Sequence, residues 1–192
     1  DVVDILENGG AVTGVVTKLG LKFYAENILL TTGTFLEGLI HIGSVNMSAG
    51  RMGDAASHGI SQRLRDFGME TGRLNTGTTP RLLRSSIDFS RLEEQFGDIP
   101  LSGFSFHGPK PPLPQTSCHI TWTNEIAHDI IRSGFDRSPL FTGVIEGVGA
   151  RYCPSIEDKV ARFPERNRHH IFLEPEGLES GEVYANGIST SL

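Results

Sequence analysis

Cys153 is the residue whose setting most favours chemistry. It stands just before Pro154 and Ser155, where a helical pattern running through Phe163 begins, and Arg151 lies two residues upstream. The positive end of a helix and a nearby guanidinium both favour the thiolate, which can act as a nucleophile or, when protonated, as a proton donor. A lone cysteine also serves as a small buried hydrophobe, and the residues alone leave the two readings open. Cys118 has no comparable setting and reads as core. Two cysteines without a CxxC pair exclude a disulfide scaffold and a cysteine zinc site.

Upstream of Cys153, the run Gly147-Val148-Gly149-Ala150-Arg151-Tyr152 has the outline of a dinucleotide loop in which Tyr152 replaces the third glycine. Such a loop before a helix can hold an anion through its backbone N–H groups, or it can be an ordinary loop. A second nucleotide-like signal is Ile28 to Phe35, an apolar run ending in Thr32-Gly33-Thr34, as in a strand whose end meets a bulky cofactor. Val2, on a strand leading to the same region, can offer its main chain to an adenine edge. The seven histidines show neither HxxxH nor HExxH spacing, and the neighbours His169 and His170 point to opposite sides of a strand, so no metal site is expected.

The formal charge of -6 excludes a protein that coats nucleic acid non-specifically. Locally the balance reverses. From Gly50 to Arg84, arginines 51, 63, 65, 73, 81 and 84 face only Asp54, Asp66 and Glu70; from Lys159 to His170, Lys159, Arg162, Arg166 and Arg168 face only Glu165. Each stretch is a candidate phosphate-contacting patch or a solvated face. With 192 residues, 38% of them hydrophobic, the chain can build a real core. It shows no apolar run of membrane-spanning length and no leader, and a cytoplasmic setting fits its cysteine usage.

These residues need elements to position them. Segments 2–6, 11–18 and 21–32 read as a three-stranded β meander with turns at Glu7 to Gly10 and Leu19-Gly20. Residues 56–67 read as an amphipathic helix with Ser57 near its start and Gly68 after its end. Ser90 and Glu93 suggest a capping box before a short helix holding Leu92 and Phe96. The proline-rich stretch from Gly108 to Pro114 must be loop. Helices are expected over 124–133 and 155–163, and strands 182–185 and 188–191 flank Asn186-Gly187, a hairpin signal.

Longer stretches, among them LLTTGTFLEGLIHIG (29–43), GRMGDAASHGISQRLRDFG (50–68), GRLNTGTTPR (72–81) and GVGARYCPSIEDK within 123–163, resemble the GidA/MnmG family of transfer-RNA uridine-modifying proteins, and the resemblance covers essentially the whole chain. It implies an α/β fold: part of a FAD-binding Rossmann-like domain with its β meander, and an inserted α+β NAD-associated domain. On this basis 1–48 close the first FAD-binding segment, 49–80 form a connector, and 81–192 form the inserted domain, truncated at its end. The implied activity is FAD-dependent modification of the tRNA wobble uridine at C5, using NADH, methylenetetrahydrofolate as one-carbon donor, and ammonium or glycine.

The implied partners are tRNA, a second copy of the chain, and an MnmE-type GTPase that binds through a C-terminal domain lying outside this sequence. By position, FAD contacts fall on Val2, Thr32, Gly33, Thr34 and Ser57, and the NAD-associated segment runs from Gly149 through Ala150, Arg151 and Tyr152 to Phe163. Cys153 matches the functional cysteine of the family's RYC motif, and Arg151, Lys159, Arg162, Arg166 and Arg168 become tRNA phosphate contacts. Family members are much longer, so this portion is expected to be inactive alone. The alternatives are a folate- and FAD-dependent tRNA uridine methyltransferase, a generic FAD/NAD(P)H oxidoreductase, and a non-catalytic RNA-binding or assembly module.

Overall fold

The structure is a computed structural model that describes residues 1–43, 45–99, 101, 103, 105, 106, 108, 113–145, 148, 149 and 154–191. The chain is mixed α/β and divides into two compact units, Asp1–Arg73 and Leu74–Leu192.

In the first unit, β1 (Val2–Asn8), β2 (Ala11–Thr17) and β3 (Lys22–Tyr24) form an antiparallel meander in the order β1-β2-β3. Its first turn joins Asn8 to Ala11, and Gly10 N–H donates to the Glu7 carboxylate at 2.6 Å. The third strand is shorter than expected: it ends at Tyr24, and residues 25–32 follow an irregular path. Asn27 to Thr32 gain no ladder partner among the described residues, and Leu29 stays 86% exposed, so nothing holds this apolar run as a buried strand. Strands β4 (Leu39–Ile42) and β5 (Val45–Ser48) form a hairpin that the strands expected above do not include, although the two residues between them in the sequence, Gly43-Ser44, are a hairpin signal.

Helix α1 (Ile60–Asp66) starts four residues later than the 56–67 pattern suggests. Its N-cap is Gly59 rather than Ser57, and no side chain caps it. The C-terminal end matches expectation: Gly68 N–H donates to Arg65 C=O and Met69 N–H to Leu64 C=O, the paired bonds of a glycine-terminated helix. Ile60 is buried where α1 packs on β1, alongside Ile5, and Arg63 reaches from the helix to the Ile5 carbonyl and the Asp4 carboxylate.

The second unit centres on a five-stranded antiparallel sheet. Its strands are β7 (Arg81–Leu83), β8 (Glu93–Gln95), β9 (Cys118–Trp122), β11 (His170–Pro175) and β12 (Glu182–Asn186), in the order β7-β12-β11-β9-β8. A parallel pair of β6 (Leu74–Asn75) and β10 (Val148–Gly149) stands apart from it. Ile171, Leu173, Val183 and Ala185 alternate onto one face as the buried core, covered by Leu82, Ile87, Phe89, Leu92 and Ile188. Each such burial contributes about 1.5–3 kcal/mol.

Helices α2 (Glu125–Arg132) and α3 (Ile156–Arg162) pack on each other. Both begin where their caps predict: Asn124 accepts from Ala127 N–H at 2.8 Å, and Ser155 accepts from Asp158 N–H at 3.3 Å. On α2 the side chain that is buried is His128, while Ile126 and Ile130 are 72% and 67% exposed.

Two expectations fail here. Instead of a capped helix holding Leu92 and Phe96, a 3-10 turn at Phe89–Arg91 leads into β8, and Asp88 rather than Ser90 caps the turn, accepting from the Ser90 N–H and hydroxyl. Nor does Asn186-Gly187 close a hairpin. Strand β12 already has β11 on one edge and β7 on the other, so residues 188–191 have no edge left to pair with. The chain turns away at Gly187 (φ 103), where a Cβ would meet the His170 carbonyl oxygen at 2.6 Å, and Thr190 instead bridges to Thr78. Residues 109–112 of the proline-rich stretch lie outside the described residues.

Candidate functional site

A cleft of about 490 Å³ opens in the first unit against the meander and residues 25–32. Val2, Val15, Phe23, Ile28 and Phe35 give it apolar walls, and Thr31, Thr32 and Ser57 bring hydroxyls. Gly14, also in its lining, lets β3 come close to β2: a side chain there would run into the Phe23 carbonyl oxygen. The Ser57 hydroxyl points back to the Val2 carbonyl across 3.5 Å, so two positions 55 residues apart meet at one wall. Of the five positions expected to contact FAD, Val2, Thr32 and Ser57 line this cleft. Gly33 and Thr34 do not, and the Thr34 hydroxyl is spent on the Gly50 carbonyl at 2.6 Å.

The volume falls in the range of ligand pockets and suits a planar ring system. No Lys or Arg lines the cleft and Asp1 does, so a pyrophosphate finds no cation here. The lining therefore fits an uncharged ring-bearing part of a ligand rather than its pyrophosphate, with the Thr31, Thr32 and Ser57 hydroxyls as the side-chain polar groups besides Asp1 and Asn27. Ile28 belongs to the nucleotide-like run read from the sequence, whereas Gly14 and Phe23 escape such a reading because they reach the cleft through the pairing of β2 with β3, which no local spacing records.

The arginine-rich stretch from Gly50 to Arg84 does not present a free patch. Arg51 pairs with Asp54, Arg63 with Asp4, Arg65 with Gln62 and Thr71, Arg73 with the Glu37 carbonyl, and Arg81 with Glu176, while Arg84 lies over the Phe89 ring. The second stretch is different. Lys159 donates to the Gly187 carbonyl at 2.7 Å and Arg162 pairs with Asp158 at 2.8 Å, so both are engaged structurally. Arg166 and Arg168 have no ion pair among the described residues and rest on aromatic rings, Arg166 over Phe163 at 5.1 Å and Arg168 over Trp122 at 4.4 Å. Within the described part of this stretch, these two exposed guanidiniums are the cations left available for an anionic ligand.

Gly149 is fixed in β10, paired with Asn75. Ala150, Arg151, Tyr152 and Cys153 lie outside the described residues. The helix after them, α3, carries Glu157, which is fully buried; its Oε1 accepts from the Thr190 hydroxyl, the Ser191 N–H and the Ser191 hydroxyl at 2.8, 2.8 and 3.1 Å. Its Oε2 and the Asn75 Oδ1 are buried acceptors with no partner among the described residues. Cys118 is half-buried on the face opposite the core cluster rather than within it, and burial with the nearby Glu174 carboxylate pushes its thiol pKa up, which makes it a poor nucleophile.

His169 and His170 do point apart, toward different partners. His169 is buried beside His128, ring centroids 5.1 Å apart, and the Thr123 hydroxyl joins them, lying 2.7 Å from His128 Nε2 and accepting from His169 N–H at 2.7 Å. Burial, then the neighbouring His128, Lys159 and Arg166, lower the His169 pKa, with Glu165 opposing. A histidine pKa lower in the folded than in the unfolded chain means that the unfolded state takes up the proton first. Stability from this group is therefore complete above the ordinary value of 6.5 and declines as pH falls below it, by at most about 1.4 kcal/mol per pH unit. Denaturation midpoints of the His169→Gln variant between pH 7.5 and 5 are expected to fall less steeply than those of the parent. An unchanged slope would remove His169 as the cause.

Among the described residues no three His, Cys, Asp or Glu side chains converge as metal ligands, and no helix is long and apolar enough to cross a membrane.

Comparison with known proteins gives a uniform result. Residues 1–192 match the family model described as glucose inhibited division protein A. Proteins named tRNA uridine 5-carboxymethylaminomethyl modification enzyme MnmG from Geobacter sulfurreducens and Geotalea uraniireducens are each 56% identical over 192 residues, covering 100% of this chain and 31% of theirs. The solved structure of Aquifex aeolicus GidA in its form I crystal is 46% identical with a TM-score of 0.83, matching 100% of this chain and 33% of that one. Its form II crystal is 43% identical with a TM-score of 0.81. The chain thus spans about a third of the length of the curated relatives it matches.

Proposed function

Since the chain belongs to the glucose inhibited division protein A family, we propose that it is the central third of an FAD-dependent enzyme that modifies the wobble uridine of tRNA at C5. The observation that carries this reading is the 56% identity, across every residue, to proteins named for tRNA uridine carboxymethylaminomethyl modification. The apolar cleft that collects Val2, Thr32 and Ser57 supports a site for one ring-bearing half of FAD. The rest of that cofactor, its pyrophosphate above all, is held by residues outside this chain. When bound, FAD would supply redox chemistry, with NADH as the reductant, methylenetetrahydrofolate as the one-carbon donor and ammonium or glycine as the amine source.

Uridine C5 is a poor nucleophile until a group adds at C6 or its proton is managed, which gives the Cys153 thiol its role. Arg166 and Arg168, with Arg151, Lys159 and Arg162 in support, contact tRNA phosphates. The proposed organisation is a FAD-domain segment, 1–48, a connector, 49–80, and an inserted NAD-associated domain, 81–192; the boundary between the two compact units, at Arg73 and Leu74, falls inside the connector, so residues 49–73 belong with the first unit. The enzyme works as a cytoplasmic homodimer with an MnmE-type GTPase.

Mass spectrometry of wobble nucleosides from a strain lacking the full-length protein tests the reading. Loss of the C5 aminomethyl-type group is expected. Loss of a C5 methyl group alone would favour a methyltransferase, and unchanged nucleosides would reject both. Purified full-length protein is also expected to bind tRNA with affinity that falls steeply as salt rises; flat salt dependence would favour an oxidoreductase of small molecules.

A further inference from the structure

The five-stranded sheet of the second unit has two unlike faces. Leu173 pairs with Ala185 and Ile171 with Thr121, so the odd-numbered residues of β11 point to the aliphatic core. The even-numbered ones pair differently: His170 with Trp122, Phe172 with Ile120 and Asn186. That second face is a row of rings. Phe172 and His170 are 4.2 Å apart between centroids, tilted at 49°; His170 and Trp122 are 4.5 Å apart and nearly parallel at 18°. The Arg168 guanidinium closes the row over the indole at 4.4 Å, and on β12 Tyr184 lies under Arg81 at 4.5 Å. Trp122 on this face is 45% exposed. His170 Nε2 is buried with no hydrogen-bond partner among the described residues.

We infer that this ring-bearing sheet face is a stacking platform for an unpaired base of an RNA strand, the base seating on the Trp122 indole. The inference rests on the tRNA-modifying reading above and adds a place where the RNA is gripped. Unpaired bases are recognised by stacking on aromatic side chains and guanidinium planes laid on a β-sheet, with cations alongside for the backbone. The charge pattern gives the strand its path. Arg168, without an ion pair among the described residues, stands at the Trp122 end, and Arg166, also without one, lies two residues before it over Phe163. At the Tyr184 end Arg81 is already paired with Glu176, and Glu174 accepts from Asn186, so phosphates are not welcome there.

The Arg168 guanidinium holds the place that the base takes. Stacking of a base on an aromatic ring is stronger than an exposed cation–π contact, and the displaced guanidinium gains a charge-assisted bond to the adjoining phosphate. Both partners therefore profit from the exchange. A protein partner would find few aliphatic side chains on this face, and duplex RNA would offer it no open base.

The test uses full-length protein and transcribed tRNA, with variants Trp122→Ala, Trp122→Phe and Arg168→Ala. Trp122→Ala is expected to weaken tRNA binding by about tenfold or more without altering its dependence on salt. Trp122→Phe, which keeps a ring and the fold, is expected to bind within about threefold of the parent. Arg168→Ala is expected to reduce the slope of log affinity against log salt by about one. Photocrosslinking of the unaltered protein to tRNA carrying 4-thiouridine is expected to mark the peptide containing Trp122. Parent-like binding by Trp122→Ala, or crosslinks confined to other peptides, would overturn the platform while leaving the tRNA-modifying reading intact. Failure of the unaltered protein to bind tRNA at all would instead strike that reading.

Discussion

Replacing Cys153 by serine in the full-length protein is expected to abolish C5 modification of the wobble uridine while flavin absorbance and tRNA binding persist. Serine keeps the size of the side chain but not its acidity: its hydroxyl stays protonated where a thiol beside a cation ionises. If the thiolate adds to uridine C6, the adduct fails to form; if the thiol delivers a proton, the hydroxyl is too weak an acid to replace it. Losing a general acid–base group alone lowers rates by about 10²–10⁴-fold, and losing a nucleophile removes the route altogether. The cleft proposed for a flavin half is lined by other residues, Val2, Thr32 and Ser57 among them, so cofactor content is expected not to change. Nucleoside mass spectrometry on tRNA incubated with the variant decides the matter, and modification at more than a few per cent of the parent rate would strip Cys153 of its role.

The second large effect is one of stability. Glu157→Ala is expected to destabilise the protein by about 3 kcal/mol or more, read as the shift in urea midpoint at constant slope. One fully buried carboxylate oxygen accepts from the Thr190 hydroxyl and from both the N–H and hydroxyl of Ser191, tying the start of α3 to the chain after β12. Alanine deletes the shared acceptor and leaves the Ser191 N–H in the interior without it. Ser138, whose hydroxyl lies 3.0 Å from that of Ser191, is disturbed as well. Glu157→Gln retains an acceptor oxygen and is expected to recover most of the loss. An alanine variant within about 0.5 kcal/mol of the parent, the range of ordinary surface changes, would show that the cluster carries no weight.

Local chemistry in the chain announces more of this molecule than its pairing does. The caps at Asn124 and Ser155 and the glycine after α1 are each visible as residue types at fixed offsets, because their hydrogen bonds span only a few residues. The turns after β1 and β2 belong to the same class. Resemblance to a family is equally legible, since it needs only the order of residues. Asn186-Gly187 shows where this legibility ends. Its local preference for a hairpin is genuine, but β12 has both edges filled by β11 and β7, and a strand has only two.

Residue order alone places the first two strands of the meander, α2 and α3, and identifies the family, while the third strand stops at Tyr24, short of the 21–32 pattern. Tertiary structure alone decided that Val2, Thr32 and Ser57 share one cleft, that the arginines between 50 and 84 are spent on internal partners, and that Trp122, His170 and Phe172 stand in one row. The reason is one of range. Caps and turns are settled by dihedral preferences and bonds within about four residues, whereas the partner of a strand edge or a guanidinium is whatever the burial of the whole core brings within reach.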